Sequence, residues 1–231
     1  ASSWDVEAVE ALGHLFGQEM VRKGSDILLG PGLNIHRDPL CGRNFEYYSE
    51  DPLLSGTVAA AMVRGIQSVP GRSACVKHFA CNNQEENRNR NDSRLSQRAL
   101  REIYLRGFEI CLRDAAPLCL MSSYNQINGI WGHYQYELVT GILRREWGYD
   151  GLVMTDWWMQ PCTDPDFPAL WNDAYRLRAQ VDVLMPGSNA FEDPTMDFSA
   201  LESLKQENGL TLGEMQRSAK NVLKLCARLK G

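Results

Sequence analysis

"GLVMTDWWM", Gly151–Met159, decides how this chain folds. Leu152, Val153 and Met154 follow a glycine as an apolar run of strand length, and the run stops on Asp156 before two tryptophans. Strands that are apolar throughout belong to parallel sheets covered on both faces, whereas half-solvated strands alternate. A lone carboxylate at the end of such a run needs a reason to be there.

Working outward, four more runs have the same character: "DILLGPGLNI" (26–35), "SACVKHFA" (73–80), "APLCLMSSYN" (116–125) and "VDVLMPG" (181–187). Helical spacing fills the gaps. Trp4, Val9, Leu12, Phe16 and Met20 repeat over residues 4–22, with Ser2 or Ser3 as N-cap and Asp5 and Glu7 in the first turn. Leu54, Val58, Met62 and Ile66 mark a helix over 52–67. Ser96 caps another that carries Leu100, Ile103, Tyr104, Phe108 and Cys111. "YELVTGILRREWG" ends on Gly148, and Thr211 with Glu214 forms a capping box ahead of Met215, Ala219, Val222 and Cys226. Residues 160–176 read as a long loop. Strand and helix thus alternate, which means an α/β fold on a parallel sheet, either a barrel or a doubly wound sheet. Five strands are fewer than the eight a closed barrel needs.

The 231 residues are 44% hydrophobic with a net charge of −5, enough for one large core and the wrong sign for nucleic acid or anionic membrane. No apolar run is long enough to span a bilayer as a helix, and "ASSWDVEAVE" has the form of neither a signal nor a transit peptide. Seven scattered cysteines without CxxC spacing read as reduced thiols, several of them in apolar segments that look buried, which points to the cytoplasm. Their spacing is not that of structural zinc, and His14, His36, His78 and His133 are far apart, so no metal is expected. GxGxxG and GxxxxGK[ST] are absent, which disfavours a nucleotide-dependent enzyme.

Reactive residues collect where strands end. Arg43, Glu46, Glu50 and Asp51 follow the first run, Lys77 and His78 end the second, Ser122 to Asn125 the third, and Asp156 and Trp157 the fourth. Parallel α/β proteins build their sites on that edge, because all the strand ends point the same way. Each piece also has a plainer role: Asp156 as a helix N-cap, Trp157 and Trp158 as core, the charges near Arg43 and in "NRNRNDSR" as a solvated surface, and "CNNQEEN" as turn hydrogen bonds. Together, a carboxylate beside indole with Lys, Arg, His and Tyr donors suits a pyranose, which offers an apolar face and many hydroxyls. An ionised carboxylate there can attack or stabilise an oxocarbenium-like centre.

The same residues resemble the catalytic barrel of glycoside hydrolase family 3, which includes β-glucosidases and β-xylosidases. "GPGLNIHRDPLCGRNFEYYSEDP", "KHFACNNQE", "LREIYLRGFE", "MSSYNQING", "ILRREWGYDGLVMTDWW" and "VDVLMPGS" carry the likeness in the family's order over nearly the whole chain. The resemblance implies a TIM-type (β/α)8 barrel, incomplete here at five to six strands, with residues 1–231 forming one partial catalytic domain. It implies a retaining exo-acting β-glycosidase, first a β-glucosidase and alternatively a β-xylosidase. Asp156 would be the nucleophile, with Arg43, Lys77 and His78 on the sugar's hydroxyls. Tyr124 would stand beside the nucleophile, Trp157 would shape the pocket and Met121 would line its floor. No cofactor is implied.

Three departures stand out. The chain starts after the family's first strands and their sugar-gripping aspartate, as a fragment or one part of a split enzyme would. The acid/base carboxylate of the β-glucosidase branch sits on an αβ-sandwich domain, which is expected to pack against this one with the missing strands. "KHFACNNQE" lacks the histidine of the β-N-acetylglucosaminidase branch's "KHFPGHG"-like loop. The tryptophan pair and the "NNQE" stretch are similar to bacterial members, suited to a β-glucoside or short oligosaccharide. A non-catalytic sugar-binding or scaffold remnant is the competing expectation, and an open sheet edge predicts poor solubility or inactivity for the segment alone.

Overall fold

The computed structural model describes residues 2–164, 167–186 and 198–230; Gly187 and Ser188 of "VDVLMPGS" lie outside them. Along the chain run α1 (Val6–Lys23), β1 (Ile27–Leu28), α2 (Pro52–Gln67), β2 (Ser73–Phe79) and β3 (Asp92–Ser93). Next, α3 (Gln97–Ala99) passes through a π-helical turn, Leu100–Tyr104, into α4 (Arg106–Ala115). Then come β4 (Cys119–Ser122), β5 (Gln126–Ile127), β6 (Ile130–Trp131) and a π-helical segment Glu137–Glu146. The remainder is β7 (Leu152–Trp157), α5 (Asn172–Arg178), β8 (Val183–Met185), α6 (Ser199–Ser203) and α7 (Leu212–Lys230).

Five strands form one parallel sheet in the order β1-β2-β4-β7-β8, a curled half-barrel with flanking helices. The five apolar runs supply these five strands, although the first pairs over only two residues before its Gly-Pro-Gly, with Gly32 bridging Lys77 beyond it. The short hairpin β5–β6 and its partner β3 form a second sheet that the apolar pattern does not signal.

Alternation along the strands separates two cores. Val76, Leu120 and Val153 face the helices, beside Val58, Ile66, Phe108 and Leu143. Cys75, Cys119, Leu152, Met121 and Met154 line the other, concave face, with α7 packing Val222, Leu225 and Leu229 into the same cluster. The register sets Cys119 against Leu152 and Met121 against Met154, so the concave face rises in rows. Asp156, two residues beyond Met154, stands in the next row up.

The helix layer keeps the expected apolar stripe on α2, where Val58, Met62 and Ile66 are buried, and departs from it on α1. On α1 the buried positions are Val9, Gly13, Gly17 and Met20, while Leu12 and Phe16 are each 43% exposed and Trp4 is exposed too. The reason is close approach: a Cβ on Gly13 would meet the Met62 carbonyl oxygen of α2 at 2.6 Å, and one on Gly56 would meet the Gly107 carbonyl oxygen of α4 at 2.8 Å. Glycine, rather than bulk, makes these contacts. The N-cap is Asp5, whose carboxylate accepts from Ala8 N–H, not Ser2 or Ser3. Asp51 caps α2 by accepting from Leu53 N–H, so it is no mere surface charge. Ser96 and the Thr211/Glu214 box cap as expected, and Gly148 turns the chain at φ +70°. The π-helical turn after α3 shifts the face of that helix, leaving Leu100, Phe108 and Cys111 buried and Ile103 exposed. Residues 160–176 are not all loop, because α5 starts at Asn172.

On α7 the inward face is Ser218, Val222 and Leu225, and Cys226 is exposed; the other six cysteines are buried thiols. Asp182 explains this rotation. Buried just before β8, it takes an ion pair from Arg144 at 2.6 Å, accepts from Val153 N–H at 2.9 Å, and accepts from Asn221 of α7 at 2.9 Å. One carboxylate ties the π-helical segment, β7 and α7 together. Removing one partner of a buried ion pair strands the other charge. Asp182→Ala should therefore cost about 3–5 kcal/mol, read as a lowered midpoint in thermal unfolding; an unchanged midpoint would rule out this anchoring role.

Candidate active site

Asp156 is 7% exposed, near the end of β7, and not at a helix N-terminus: α5 begins far downstream, at Asn172. Its Oδ1 accepts from Trp157 N–H at 2.8 Å. Its Oδ2 is buried with no hydrogen bond of ordinary geometry and lies 3.6 Å from His78 Nε2. Burial raises the carboxyl's pKa above the usual range, opposed by the Trp157 amide, the Tyr124 phenol, and the charges of Arg43 and Arg88. The cations therefore soften the burial penalty without cancelling it.

Strict alternation would send Lys77 and His78 to opposite faces of β2. The β2–β4 register shifts between Val76 and Phe79, however. Phe79 still joins the helix-side core, and both polar side chains are left to the site. A matching shift on the other side of β7, between Met154 and Trp157, brackets Asp156.

His78 is gripped twice. Asn34 clamps its backbone, accepting from His78 N–H at 3.0 Å and donating to its carbonyl at 2.9 Å. Tyr47 O contacts its Nδ1 at 3.0 Å. Burial first, then the charges of Arg43, Lys77 and Arg88, push the imidazole's pKa well down, so the ring is neutral.

Arg43 and Lys77 converge on Glu46, Arg43 through a short ion pair and Lys77 at 3.0 Å. Burial works against the Glu46 charge, but hydrogen bonds from those two cations win, and its pKa is lowered. Glu46 is thus a fixed anion that holds two cations in place and a poor proton donor. Tyr124 stands by the nucleophile candidate: burial and then Asp156 push its phenol up to about 12. The Arg88 guanidinium lies over the Tyr124 ring at 4.3 Å and pairs with Glu85 at 2.7 Å. Trp157 is half-buried against the concave cluster, whereas Trp158 is 75% exposed and outside the core. Met121 lies in the row beneath Asp156.

Arg43, Lys77, His78, Tyr124, Asp156 and Trp157 are thus brought together, with Met121 below. Asn34, Glu46, Tyr47, Asn82 and Arg88 complete the arrangement; the sequence marks Glu46 as either a strand-end group or solvated charge, Arg88 as solvated charge and Asn82 as a turn residue, and singles out neither Asn34 nor Tyr47. Asn82 is fully buried and donates to Glu85 and Tyr47. Among the described residues no three His, Cys, Asp or Glu side chains are grouped as metal ligands would be, and no helix is long and apolar enough to cross a membrane.

Residues 1–225 match the glycosyl hydrolase family 3 N terminal domain. A β-glucosidase of Ruminococcus albus is 45% identical over 96% of this chain and 23% of its own length. An exo-α-(1→6)-L-arabinopyranosidase of Bifidobacterium longum is 48% identical over 68% of the chain and 21% of its own. The structure of β-glucosidase 3B from Thermotoga neapolitana in complex with glucose superposes with a TM-score of 0.87 at 43% identity, covering 98% of this chain and 30% of that one. The chain thus spans about a quarter of the length of the curated relatives it matches.

A carboxyl whose folded pKa is raised contributes stability below its unfolded pKa, and that contribution is lost as pH rises through the folded value. At neutral pH the ionised Asp156 therefore weakens the fold. Asp156→Asn, which keeps the Oδ1 acceptor, should raise the melting temperature at pH 7, with the gain shrinking toward pH 4. Melting curves across that range test this; an equal or lower midpoint at pH 7 would contradict the burial penalty.

Proposed function

This chain belongs to glycosyl hydrolase family 3, and from that premise we propose that residues 1–231 are one partial catalytic barrel domain of a retaining, exo-acting β-glycosidase. Terminal non-reducing β-D-glucosyl residues are the first choice of substrate. The observation that carries this reading is the buried Oδ2 of Asp156 at a strand's end, without a hydrogen bond of ordinary geometry and 3.6 Å from a neutral histidine. Leaving a buried oxygen so weakly bonded costs about 1–3 kcal/mol, and a reacting centre is a reason to keep it.

In the proposed reaction an oxygen of Asp156 bonds to the anomeric carbon as the bond to the aglycone oxygen breaks. The aglycone leaves with a proton from a second carboxyl group, and water then releases the sugar from the ester with retained configuration. Arg43, Lys77 and His78 donate to the glycone hydroxyls, the first two pre-oriented by Glu46. Tyr124 steadies the carboxylate, Trp157 flanks the glycone and Met121 forms the floor. Glu46 is held too acidic to be the proton donor. As the family resemblance implies, the acid/base group is assigned to an αβ-sandwich domain packing on this one, consistent with the chain's share of its relatives' length. The buried thiols support a reducing, cytoplasmic compartment.

A relative at 48% identity is named for a different pentopyranose, so this domain's overall likeness leaves a β-xylosidase as the alternative. The other reading, a non-catalytic sugar-binding or scaffold remnant, is supported by Glu46, which Arg43 and Lys77 hold as an anion rather than a proton donor.

A mechanism-based fluoroglycoside should label Asp156, and Asp156→Ala should lower turnover of the whole protein by several orders of magnitude with folding retained. A label on another carboxylate, or full activity of the variant, would overturn the assignment. Calorimetry with glucose and cellobiose beside the hydrolysis assay separates the two readings, since binding without turnover supports the remnant.

A further inference from the structure

The contacts around His78 run in one consistent direction. Glu85 Oε1 can only accept, so the Asn82 side-chain amide group 3.2 Å away is its donor. The same Asn82 nitrogen lies 3.5 Å from Tyr47 O, which makes that oxygen an acceptor and leaves its hydrogen for the next partner. That partner is His78 Nδ1 at 3.0 Å. At the far end, Nε2 faces Asp156 Oδ2 at 3.6 Å.

A neutral imidazole has two tautomers. With the proton on Nδ1, the Nε2 lone pair would face a buried carboxylate oxygen, and the Tyr47 hydrogen would lose its acceptor. With the proton on Nε2, the donors from Asn82 through Tyr47 to His78 run in one direction and Nε2–H faces the carboxylate oxygen, while Asn82 Oδ1 takes no part. Burial and the three cations disfavour the doubly protonated ring, and burial keeps the Tyr47 phenol protonated. Tyr47 itself is seated firmly: its ring packs on Gly32, where a Cβ would lie 2.7 Å from it.

We propose that Tyr47 is a positioning residue whose hydroxyl, backed by Asn82, donates to His78 Nδ1 and so fixes the imidazole as an Nε2–H donor aimed at Asp156 and at a glycone hydroxyl beside it. The part concerning the glycone rests on the glycosidase reading; the tautomer does not. Such a histidine presents a donor without adding a fourth positive charge to Arg43, Lys77 and Arg88. It is ready to bind a hydroxyl oxygen without first exchanging a proton, and it cannot act as the reaction's acid.

Long-range proton–nitrogen NMR on the whole wild-type protein reads the tautomer directly, with the signals that disappear in His78→Gln assigning the ring. His78 should show a pyridine-like Nδ1 and a pyrrole-like Nε2 through the neutral range; a protonated Nδ1 overturns the proposal. Tyr47→Phe keeps the ring on Gly32 and removes only the donor. It should move His78 toward the Nδ1–H form and lower kcat/KM of the whole protein about five- to tenfold, the worth of one hydrogen bond. An unchanged tautomer in that variant would also overturn the proposal. An Nε2–H histidine in a protein that binds glucose without hydrolysing β-glucosides keeps the positioning role and removes the glycosidase.

Discussion

A carboxylate oxygen with no charged group directly on it, buried at the top of an otherwise apolar column, is the constraint on which this structure turns. Leu152, Met154 and Asp156 share the concave face of β7, and the row beneath the acid is closed by Met121 and Met154. Water cannot solvate Oδ2 from below, so its charge depends on what surrounds it at the rim. The protein answers with cations held near it rather than on it. Glu46 takes Arg43 and Lys77, Glu85 takes Arg88, and Arg88 covers Tyr124. A direct salt bridge to Asp156 would have lowered its pKa and occupied the oxygen that the proposed reaction uses.

The scaffold makes that placement rigid. Parallel pairing from β1 through β8 delivers the ends of β2, β4 and β7 to one edge, and two register shifts at that edge turn extra side chains inward. Glycine contacts let α1, α2 and α4 pack backbone to backbone behind the sheet, and Asp182 fastens α7 beneath it. A site built on strand ends with such support keeps its geometry better than one built on loops alone.

The sheet and the acid at its edge were legible because their signals are local: apolar runs of strand length, four of the five ending on reactive residues. What was illegible depended on partners distant in the chain. Leu12 and Phe16 look like a core stripe until Gly13 meets Met62, and Cys226 looks buried until Asp182 draws Asn221 inward. Glu46 and Arg88 read as solvated because a sequence does not say which opposite charge each will meet. Tyr47 carries no pattern of its own, yet it lies 31 positions from the His78 it holds. β5 and β6, two residues each, are too short for any periodicity to register.

A crystal structure of the whole protein with glucose bound tests the account most directly. The account predicts a carboxylate oxygen of Asp156 about 3–3.5 Å from the anomeric carbon, the range of near-attack geometry, with His78 Nε2, Lys77 and Arg43 on the ring hydroxyls. Glucose seated elsewhere, with Asp156 packed against protein alone, would contradict it.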